Sequence, residues 1–423
     1  LLDFTLPPIN DEEGDIYREE ERYKGMSNEQ LNSLITNDFN RYILPKYIKP
    51  MLHYNKNDVF LVCEIARQKP DEIKLRYSLS HAYGINFLCS ARSNIADRLI
   101  TKFYAERTGL SKDAFKNLRT ERTALGFKRI IFPHIHFKTP ELQNLLAEMK
   151  KVVIYHTNKD AFCREFKFYG TTYTVATGGL HSQDSPAVLK STSKYVYTHR
   201  DVGSFYPSTM IAYNIAPEHI HKKIFINLLR EWRDTRIKCK HTKDEDGQVV
   251  AGVHNKLAAE ALKIVINAVY GKLGSSTFYL YDRLAQMQVT INGQLMALML
   301  VEELELNGIH CVSANTDGII VKCPRDKIEL CNAIEKKWCE TNNLTIDSEY
   351  YDIFVTRDIN NYVDRQEDGK IEYKGALDPK QYIKDLKKGY DMPVVALAVC
   401  KYFLEGVSVM ETLRNHKDIL DFC

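Results

Sequence analysis

Two aspartates in this chain sit where the sequence predicts that the backbone turns and exposes a carboxylate. The first is Asp201, which begins the stretch Asp-Val-Gly-Ser-Phe-Tyr-Pro-Ser, and the second is Asp317, within Asn-Thr-Asp-Gly. Two converging carboxylates can hold a pair of Mg²⁺ ions, and such a pair can promote phosphoryl transfer. Together the two stretches predict metal-dependent chemistry on a phosphate group.

A third stretch, between the two aspartates, supplies a cation. Lys263, Asn267 and Tyr270 are separated by four and three residues, so they share one face of a predicted helix that Gly271 follows. The preceding helix carries a cationic stripe, which by itself is most often a solvated face: Arg230, Arg233, Arg236 and Lys240. Two antiparallel helices that present cations to one space suit a nucleoside triphosphate.

The elements that must position these residues can be predicted locally. An alternating strand leads into Asp201, Gly203 permits a turn, and Pro207 fits the first turn of a helix. The backbone amides at that helix N-terminus suit phosphate oxygens. Asp317 lies in an Asp-Gly turn between two apolar runs, which predicts a hairpin. An isolated Asp-Gly turn is usually only structural, so the order of all three stretches carries the specificity.

The remaining sequence predicts a mixture of helices and strands. Residues 1–50 are charged and indicate an irregular solvated stretch, and residues 58–67 have the apolar spacing of a buried helix. More helix is expected between about 95 and 150, and strands between 152 and 190. Long helices are expected at about 225–240, 255–270 and 284–306.

Composition restricts the class of protein. The chain has 423 residues, which suggests two to four domains, and 58 Lys+Arg against 55 Asp+Glu, so a nucleic-acid partner needs a local basic groove. Ten cysteines without zinc spacing indicate reduced thiols in the cytoplasm. The apolar run at 392–403 is too short to span a bilayer, so no membrane is expected. The first residue is Leu1 rather than Met, which suggests a fragment of a longer reading frame.

The three stretches resemble motifs A, B and C of the family B DNA polymerases. The chain is most similar in character to the phage members of this family, which would place the protein in a host cytoplasm. The resemblance implies an α+β right-hand fold with a palm, short helical-hairpin fingers and a partial thumb, preceded by the remnant of an RNase H-like exonuclease domain. The implied division is 1–105 partial exonuclease-like region, 106–190 connecting region, 191–224 palm, 225–271 fingers, 272–375 palm and 376–423 start of the thumb.

The resemblance also implies residue roles. Asp201 and Asp317 would be catalytic and would hold two Mg²⁺ ions, for which Mn²⁺ can substitute, together with the carbonyl oxygen of Val202. Nucleotide contacts are implied for a larger group, in which Tyr206 excludes a 2′-hydroxyl: Ser204, Phe205, Tyr206, Arg233, Lys263, Asn267 and Tyr270. Arg236 is the rival to Arg233 for the triphosphate. DNA contacts are implied for Gly178, Gly179, Gly271, Tyr362 and Lys374.

The chain departs from the family pattern at several positions. Asn315 replaces the first Asp of motif C, and Asn360 replaces a Lys that holds the primer strand. Tyr54 and Asp58 resemble the third motif of the family's 3′–5′ exonuclease, but residues 1–53 contain no recognisable partner carboxylates. We therefore expect no proofreading from this chain.

The resulting hypothesis is template-directed addition of dNTPs to the 3′-hydroxyl of a primer paired with template DNA. An RNA-synthesising polymerase is one alternative, and Tyr206 argues against it. A catalytically impaired, polymerase-like DNA-binding protein is the other alternative, and the substitutions at Asn315 and Asn360 favour it.

Overall fold

The computed structural model describes residues 6–35, 45–155, 162–250, 252–381 and 392–422. The chain divides into two compact units, Leu1–Cys89 and Ser90–Cys423. The boundary between the units, at residues 89 and 90, lies earlier than the predicted boundary between the exonuclease-like region and the connecting region, which is at residue 105. The assignment of a function to each region stays a prediction.

The first unit is helical where it is described. Its helices are Asp11–Arg18, Asn28–Ile35, Pro45–Gln68 and Pro70–Tyr83, with a 3-10 turn at Glu21–Tyr23. The Asn10 side chain accepts a hydrogen bond from the Glu13 amide and begins the first helix. A small apolar cluster forms behind these helices from Ile9, Tyr17, Tyr23, Leu31 and Ile35. The prediction of an irregular stretch is therefore wrong for residues 11–35, while residues 1–5 and 36–44 lie outside the described part.

The helix predicted at 58–67 forms, but the prediction that it is buried is wrong. Phe60 and Val62 are 61% and 62% exposed. Four consecutive apolar residues, 59–62, point around the helix rather than along one face, so one packing partner cannot cover them all. Tyr54 and Asp58 lie one turn apart on this helix, and their origin in an exonuclease stays a prediction.

The second unit is built on a ten-stranded antiparallel sheet. A separate pair joins β1 (Leu125–Gly126) and β2 (Val153–Ile154). The strands of the large sheet are β3 Cys163–Phe168, β4 Thr171–Ala176, β5 Leu180–Ser182, β6 Ala187–Lys190, β7 Tyr195–Val202, β8 His310–Asn315, β9 Gly318–Pro324, β10 Ile346–Asp358, β11 Asn361–Gln366 and β12 Ile371–Lys374. Their spatial order is β12-β11-β10-β7-β9-β8-β5-β4-β3, with β6 paired to β10. The expected α+β architecture is confirmed.

Helices cover one face of this sheet and enclose the main core. The α-helices of the unit are Arg92–Thr108, Lys112–Lys116, Phe127–Ile130, Pro140–Met149, Phe205–Ala212, Lys222–His241, Asn255–Leu273, Arg283–Leu306, Ile328–Asn342, Pro393–Glu405 and Val409–Asn415. Short 3-10 turns lie at Asp244–Asp246, Arg325–Lys327, Gly375–Leu377 and Ile419–Phe422. In the core, the Trp338 indole donates a hydrogen bond of 2.7 Å to the Met296 carbonyl.

Arg283–Leu306, the core helix, holds the sheet and the neighbouring helices together. Among the described helices it alone has the length and apolar composition of a membrane span, yet 72% of its apolar window is buried inside the fold. It begins at Asp282, whose carboxylate accepts hydrogen bonds from the Leu284 and Ala285 amides. The burial identifies this helix as the centre of the core.

Two helices occupy the segment that the sequence predicts to be fingers, and this assignment stays a prediction. The first fingers helix is Lys222–His241 and the second fingers helix is Asn255–Leu273. Four large apolar residues of the first helix are buried: Phe225, Leu228, Leu229 and Trp232. Arg107, on the helix Arg92–Thr108, forms an ion pair with Glu231. This helix therefore contacts the first fingers helix.

Candidate active site

The two predicted carboxylates meet at the ends of adjacent strands. β7 and β9 pair antiparallel with Asp201 opposite Gly318. The Val202 amide donates a hydrogen bond of 2.8 Å to the Asp317 carbonyl. Because Gly318 begins β9 directly after Asp317, this register places both aspartates at one edge of the sheet. The structure brings together what the sequence separates by more than a hundred residues.

A non-glycine residue in a left-handed backbone conformation lies within three residues of each aspartate. Ser204 and Thr316 both have φ of 49°. Such residues cost about 1–3 kcal/mol each and persist where the surrounding structure determines them. Ser204 turns the chain from β7 into the helix Phe205–Ala212, and Thr316 turns β8 into β9. Both turns are required to expose the aspartates in the same place.

Burial raises the pKa values of both aspartates, and repulsion by neighbouring carboxylates raises that of Asp201 further. Burial is the largest cause for Asp201, followed by Asp317, Asp347 and Glu349, and its pKa rises to about 7. Burial also raises the pKa of Asp317, although Lys374 and Lys263 oppose the shift. A cation bound between these carboxylates would relieve this repulsion.

A polar cavity of about 500 Å³ opens in front of the aspartates. Its acidic side includes Asp347 and Glu349 on β10 and Glu372 on β12, and its basic side includes Lys240, Lys263 and Lys374. The Lys374 ammonium also lies 5.1 Å from the centre of the Tyr362 ring. Tyr362 and Lys374, both predicted to contact DNA, therefore face the carboxylates.

A second cavity of about 450 Å³ contains most residues predicted to bind the nucleotide. Asp201, Asp317 and Val202 line it. Six of the residues predicted to bind the nucleotide line it as well: Ser204, Phe205, Tyr206, Lys263, Asn267 and Tyr270. The rings of Tyr206 and Tyr270 have centres 4.2 Å apart, so motifs A and B meet at the predicted sugar gate.

The two candidate arginines of the first fingers helix have different surroundings. The Arg236 guanidinium lines the second cavity and donates a hydrogen bond of 2.6 Å to the Ser204 hydroxyl. Arg233 is instead paired with its neighbour Asp234 at 2.7 Å. The geometry therefore favours Arg236, the rival, over Arg233 as the cation beside the nucleotide cavity.

The predicted template element also contacts the site. The Tyr206 hydroxyl donates a hydrogen bond of 3.2 Å to the Gly178 carbonyl. A Cβ on Gly179 would lie 2.9 Å from the Thr316 hydroxyl, which explains the glycine there. Gly271 has open space around its Cα, on the second fingers helix.

The altered motif C has a steric explanation at its last position. The family pattern has Ser after the second Asp, but a Cβ on Gly318 would collide with the imidazole of His199. His199 lies on β7 and lines the cavity with Asp201. Burial lowers the pKa of His199 to about 4, so the ring that fills this space is neutral.

The sequence analysis assigned no individual role to several residues of the first cavity. Lys240, named there only as part of the cationic stripe, lies one helical turn after Arg236, which is a usable signal once Arg236 is assigned. Asp347 and Glu349 alternate along β10 and share a face, but acidic residues in strands are too common to single out. His199 lies two residues before Asp201 on β7 and so shares its face, whereas Asp184, in the loop after β5, meets the cavity through the long-range hydrogen bond that it accepts from the Ser313 hydroxyl.

Asp201, Asp317 and the Val202 carbonyl fit a hard divalent cation. Magnesium prefers oxygen ligands and is often held by one or two carboxylates together with substrate phosphates. Across the described ranges, no group of three or more His, Cys, Asp and Glu side chains has the arrangement of a metal site. A site with two protein carboxylates therefore matches ions that share their ligands with a phosphorylated substrate.

Comparisons with known proteins agree with the predicted resemblance. No family model matches the chain. A DNA polymerase 1 from Saccharolobus solfataricus is 27% identical over 200 residues, which is 46% of this chain and 21% of that protein. A DNA polymerase 1 from Sulfolobus acidocaldarius is 23% identical over 249 residues, 52% of this chain and 27% of that protein. The expected resemblance to DNA polymerases is confirmed.

The curated relatives are archaeal, and the matches span about a fifth to a quarter of their length. Among solved structures, the family B DNA polymerase from the hyperthermophilic archaeon Pyrobaculum calidifontis matches 90% of this chain and 44% of its own chain. The sequence identity is 18% and the TM-score is 0.43. The phage-like flavour predicted from the sequence is not tested by these relatives.

Proposed function

We propose that this chain carries the active site of a DNA-directed DNA polymerase, which adds dNTPs to a primer 3′-hydroxyl under the direction of a template. One observation carries the proposal. Asp201 and Asp317, with raised pKa values, face a cavity whose other wall holds Lys263 and Arg236. Phosphoryl transfer needs this combination of a cation-binding carboxylate pair and fixed positive charge.

Each side chain has a role that its position supports. Lys263 and Arg236 would neutralise the phosphates of the nucleotide, and Asn267 would hydrogen-bond to them. The Tyr206 ring, held by Tyr270 and by the Gly178 carbonyl, would block the space of a 2′-hydroxyl. Lys374 and Tyr362 would contact the primer strand near the carboxylates. Position and electrostatics would supply most of the rate.

Asp201, Asp317 and the Val202 carbonyl would hold Mg²⁺, or Mn²⁺ in its place. The bound ions would polarise the phosphate and lower the pKa of the attacking hydroxyl. The protein's own contribution is to place both carboxylates at the ends of adjacent strands. Lys374 and Lys263 oppose the rise in the pKa of Asp317 through their positive charge and so favour its ionised form.

A catalytically impaired DNA-binding protein is the second candidate. Asn315 and Asn360 favour it, since both replace charged residues of the family pattern. Two contacts weigh against it. Asn315 pairs with Gly318 at the base of the turn, so the turn that presents Asp317 is intact, and Lys374 supplies a cation beside Tyr362.

A templated incorporation assay tests the proposal. Four primer–templates that differ only in the first template base are each offered a single dNTP with Mg²⁺. We expect extension only by the complementary dNTP, and much less with the matching rNTP. Tight binding of the primer–template without any extension would support the impaired protein instead, and extension that ignores the template base would contradict a polymerase.

A further inference from the structure

A third cavity lies between the two fingers helices, beside the proposed nucleotide site. It has a volume of about 600 Å³. Five cationic side chains line it: Arg236, Lys240, Lys243, Lys256 and Lys263. We call this cavity the fingers cleft. Lys243 and Lys256 line the fingers cleft but neither of the other two cavities.

The four lysines of the fingers cleft are not neutralised by the protein. In the described part of the chain, none of them lies within ion-pair distance of a carboxylate. Three carboxylates do line the fingers cleft, Asp244, Glu245 and Glu260. Asp244 is already engaged, because it accepts a 2.7 Å hydrogen bond from the Asn255 amide and contacts His254 at 3.1 Å. Positive charge therefore predominates.

Gathering like charges in this way is unfavourable unless an anion binds between them. Lysine ammonium groups are compact, mobile charges that suit phosphate oxygens without requiring one fixed geometry. A ligand with several charged oxygens can reach more than one of them at once. The fingers cleft therefore fits a diphosphate or triphosphate group better than a single carboxylate.

The fingers cleft shares three cationic lining residues with the cavities of the proposed active site. Lys263 lines all three cavities, Arg236 lines the nucleotide cavity and the fingers cleft, and Lys240 lines the carboxylate cavity and the fingers cleft. A polyphosphate can thus pass between the fingers cleft and the carboxylates while it remains in contact with at least one cation.

We propose that the fingers cleft is a second polyphosphate site, at which Lys243 and Lys256 hold the phosphates of an arriving nucleotide or a departing pyrophosphate. The proposal rests on the proposed function for the identity of these two sources. The binding chemistry itself rests only on the unpaired lysines and the volume of the fingers cleft.

The direct test is titration of the protein with inorganic pyrophosphate by calorimetry. The buffer contains a chelator and no DNA, so that binding at the carboxylates is suppressed. We expect the double variant Lys243→Gln/Lys256→Gln to bind pyrophosphate at least about tenfold more weakly than the unmodified chain, since two charge-assisted contacts are lost. Equal affinity in the two proteins would overturn the proposal.

A matched control is available on the same hairpin. Lys222→Gln/Lys223→Gln removes the same charge from the first turn of the first fingers helix, away from the fingers cleft. We expect this control to keep its pyrophosphate affinity. If primer–template affinity falls in Lys243→Gln/Lys256→Gln while pyrophosphate affinity does not, the lysines contact nucleic acid and the proposal is wrong.

Two kinetic measurements separate the sources. If the site serves arriving nucleotides, the variant needs several-fold more dNTP for half-maximal single-turnover incorporation. If it serves departing pyrophosphate, the reverse reaction needs several-fold more pyrophosphate while dNTP use is unchanged. No change in either would overturn the proposal. If pyrophosphate binding depends on the two lysines but the chain never extends a primer, the second polyphosphate site is supported and the proposed function is wrong.

Discussion

Asp201 combines a proposed catalytic role with an electrostatic penalty. Its pKa is raised to about 7, first by burial and then by Asp317, Asp347 and Glu349. A folded-state pKa above the unfolded value of about 4 means that the carboxyl favours the fold below about pH 4. That contribution is lost as the pH rises through about 7, where the ionised group becomes a liability in the metal-free protein.

We therefore predict that Asp201→Asn stabilises the metal-free protein at pH 8. The variant has no charge to desolvate or repel, so its melting temperature at pH 8 with a chelator should exceed that of the unmodified chain by a few degrees. The difference should shrink at pH 5, where Asp201 is protonated. Thermal unfolding at both pH values checks this, and a lower melting temperature for the variant at pH 8 would contradict the assignment.

Arg236 and Arg233 are one helical turn apart, and the structure gives them different surroundings. Arg236→Ala should raise the KM for dNTP by about tenfold or more, because a cation facing the nucleotide cavity is lost. Arg233→Ala is the matched control and should change KM by less than about threefold, because Asp234 is its partner. Steady-state extension with both variants checks this; equal effects, or a larger effect at Arg233, would restore the sequence-based choice.

Two variants of Tyr206 distinguish the steric role proposed for its ring from the hydrogen bond that its hydroxyl makes. Tyr206→Ala should reduce the preference for dNTP over rNTP by at least about tenfold, because the ring that blocks the 2′-hydroxyl is removed. Tyr206→Phe loses only the hydrogen bond to the Gly178 carbonyl and should keep most of the preference. The measurement is kcat/KM for matched dNTP and rNTP, and an unchanged ratio in the alanine variant would refute the gate.

At the scale of the elements, the core helix depends on its first residue. Asp282 is 2% exposed, caps the helix through the Leu284 amide at 3.0 Å, and accepts from the Glu218 amide at 3.0 Å and from Arg122. These contacts tie the base of the fingers to the core helix. The same carboxylate therefore serves the core and the orientation of the fingers.

Asp282→Ala should destabilise the second unit by about 3 kcal/mol, since a helix cap is lost and buried donors are left without an acceptor. A fall of about 5 °C or more in melting temperature is expected. Asp234→Ala, on the exposed side of the first fingers helix, is the control and should melt within about 1 °C of the unmodified chain. A melting temperature for Asp282→Ala that matches the control would refute the tie.

Local signals predicted the elements of the site well. The alternation before Asp201, the Asp-Gly turn at Asp317 and the spacing from Lys263 to Tyr270 each depend on neighbours in sequence. Which of the two arginines, Arg233 or Arg236, faces the nucleotide cavity could not be predicted, because the choice depends on the residues that the fold packs beside each of them. The acidic side chains of β10 were missed for the same reason, since their position depends on long-range strand pairing.

At the scale of the whole molecule, positive charge is concentrated at particular cavities, although the net charge of the chain is small. The net charge is only +3, yet five cations line the fingers cleft and three line the carboxylate cavity. This agrees with the expectation of a local basic surface. Burial in the first unit was predicted less well from the sequence, since its helix Pro45–Gln68 exposes apolar residues that the spacing predicted to be buried.

The central claim is that Asp317, in an altered motif C, supports metal-dependent nucleotide addition. Single-turnover primer extension with Mg²⁺ tests it most directly, with Asn315→Ala as the neighbouring control and fluorescence anisotropy to monitor DNA binding. We predict that Asp317→Asn lowers the extension rate by several orders of magnitude, while Asn315→Ala is far milder and both variants bind primer–template nearly as tightly as the unmodified chain. Extension by Asp317→Asn at a near-normal rate would contradict the account.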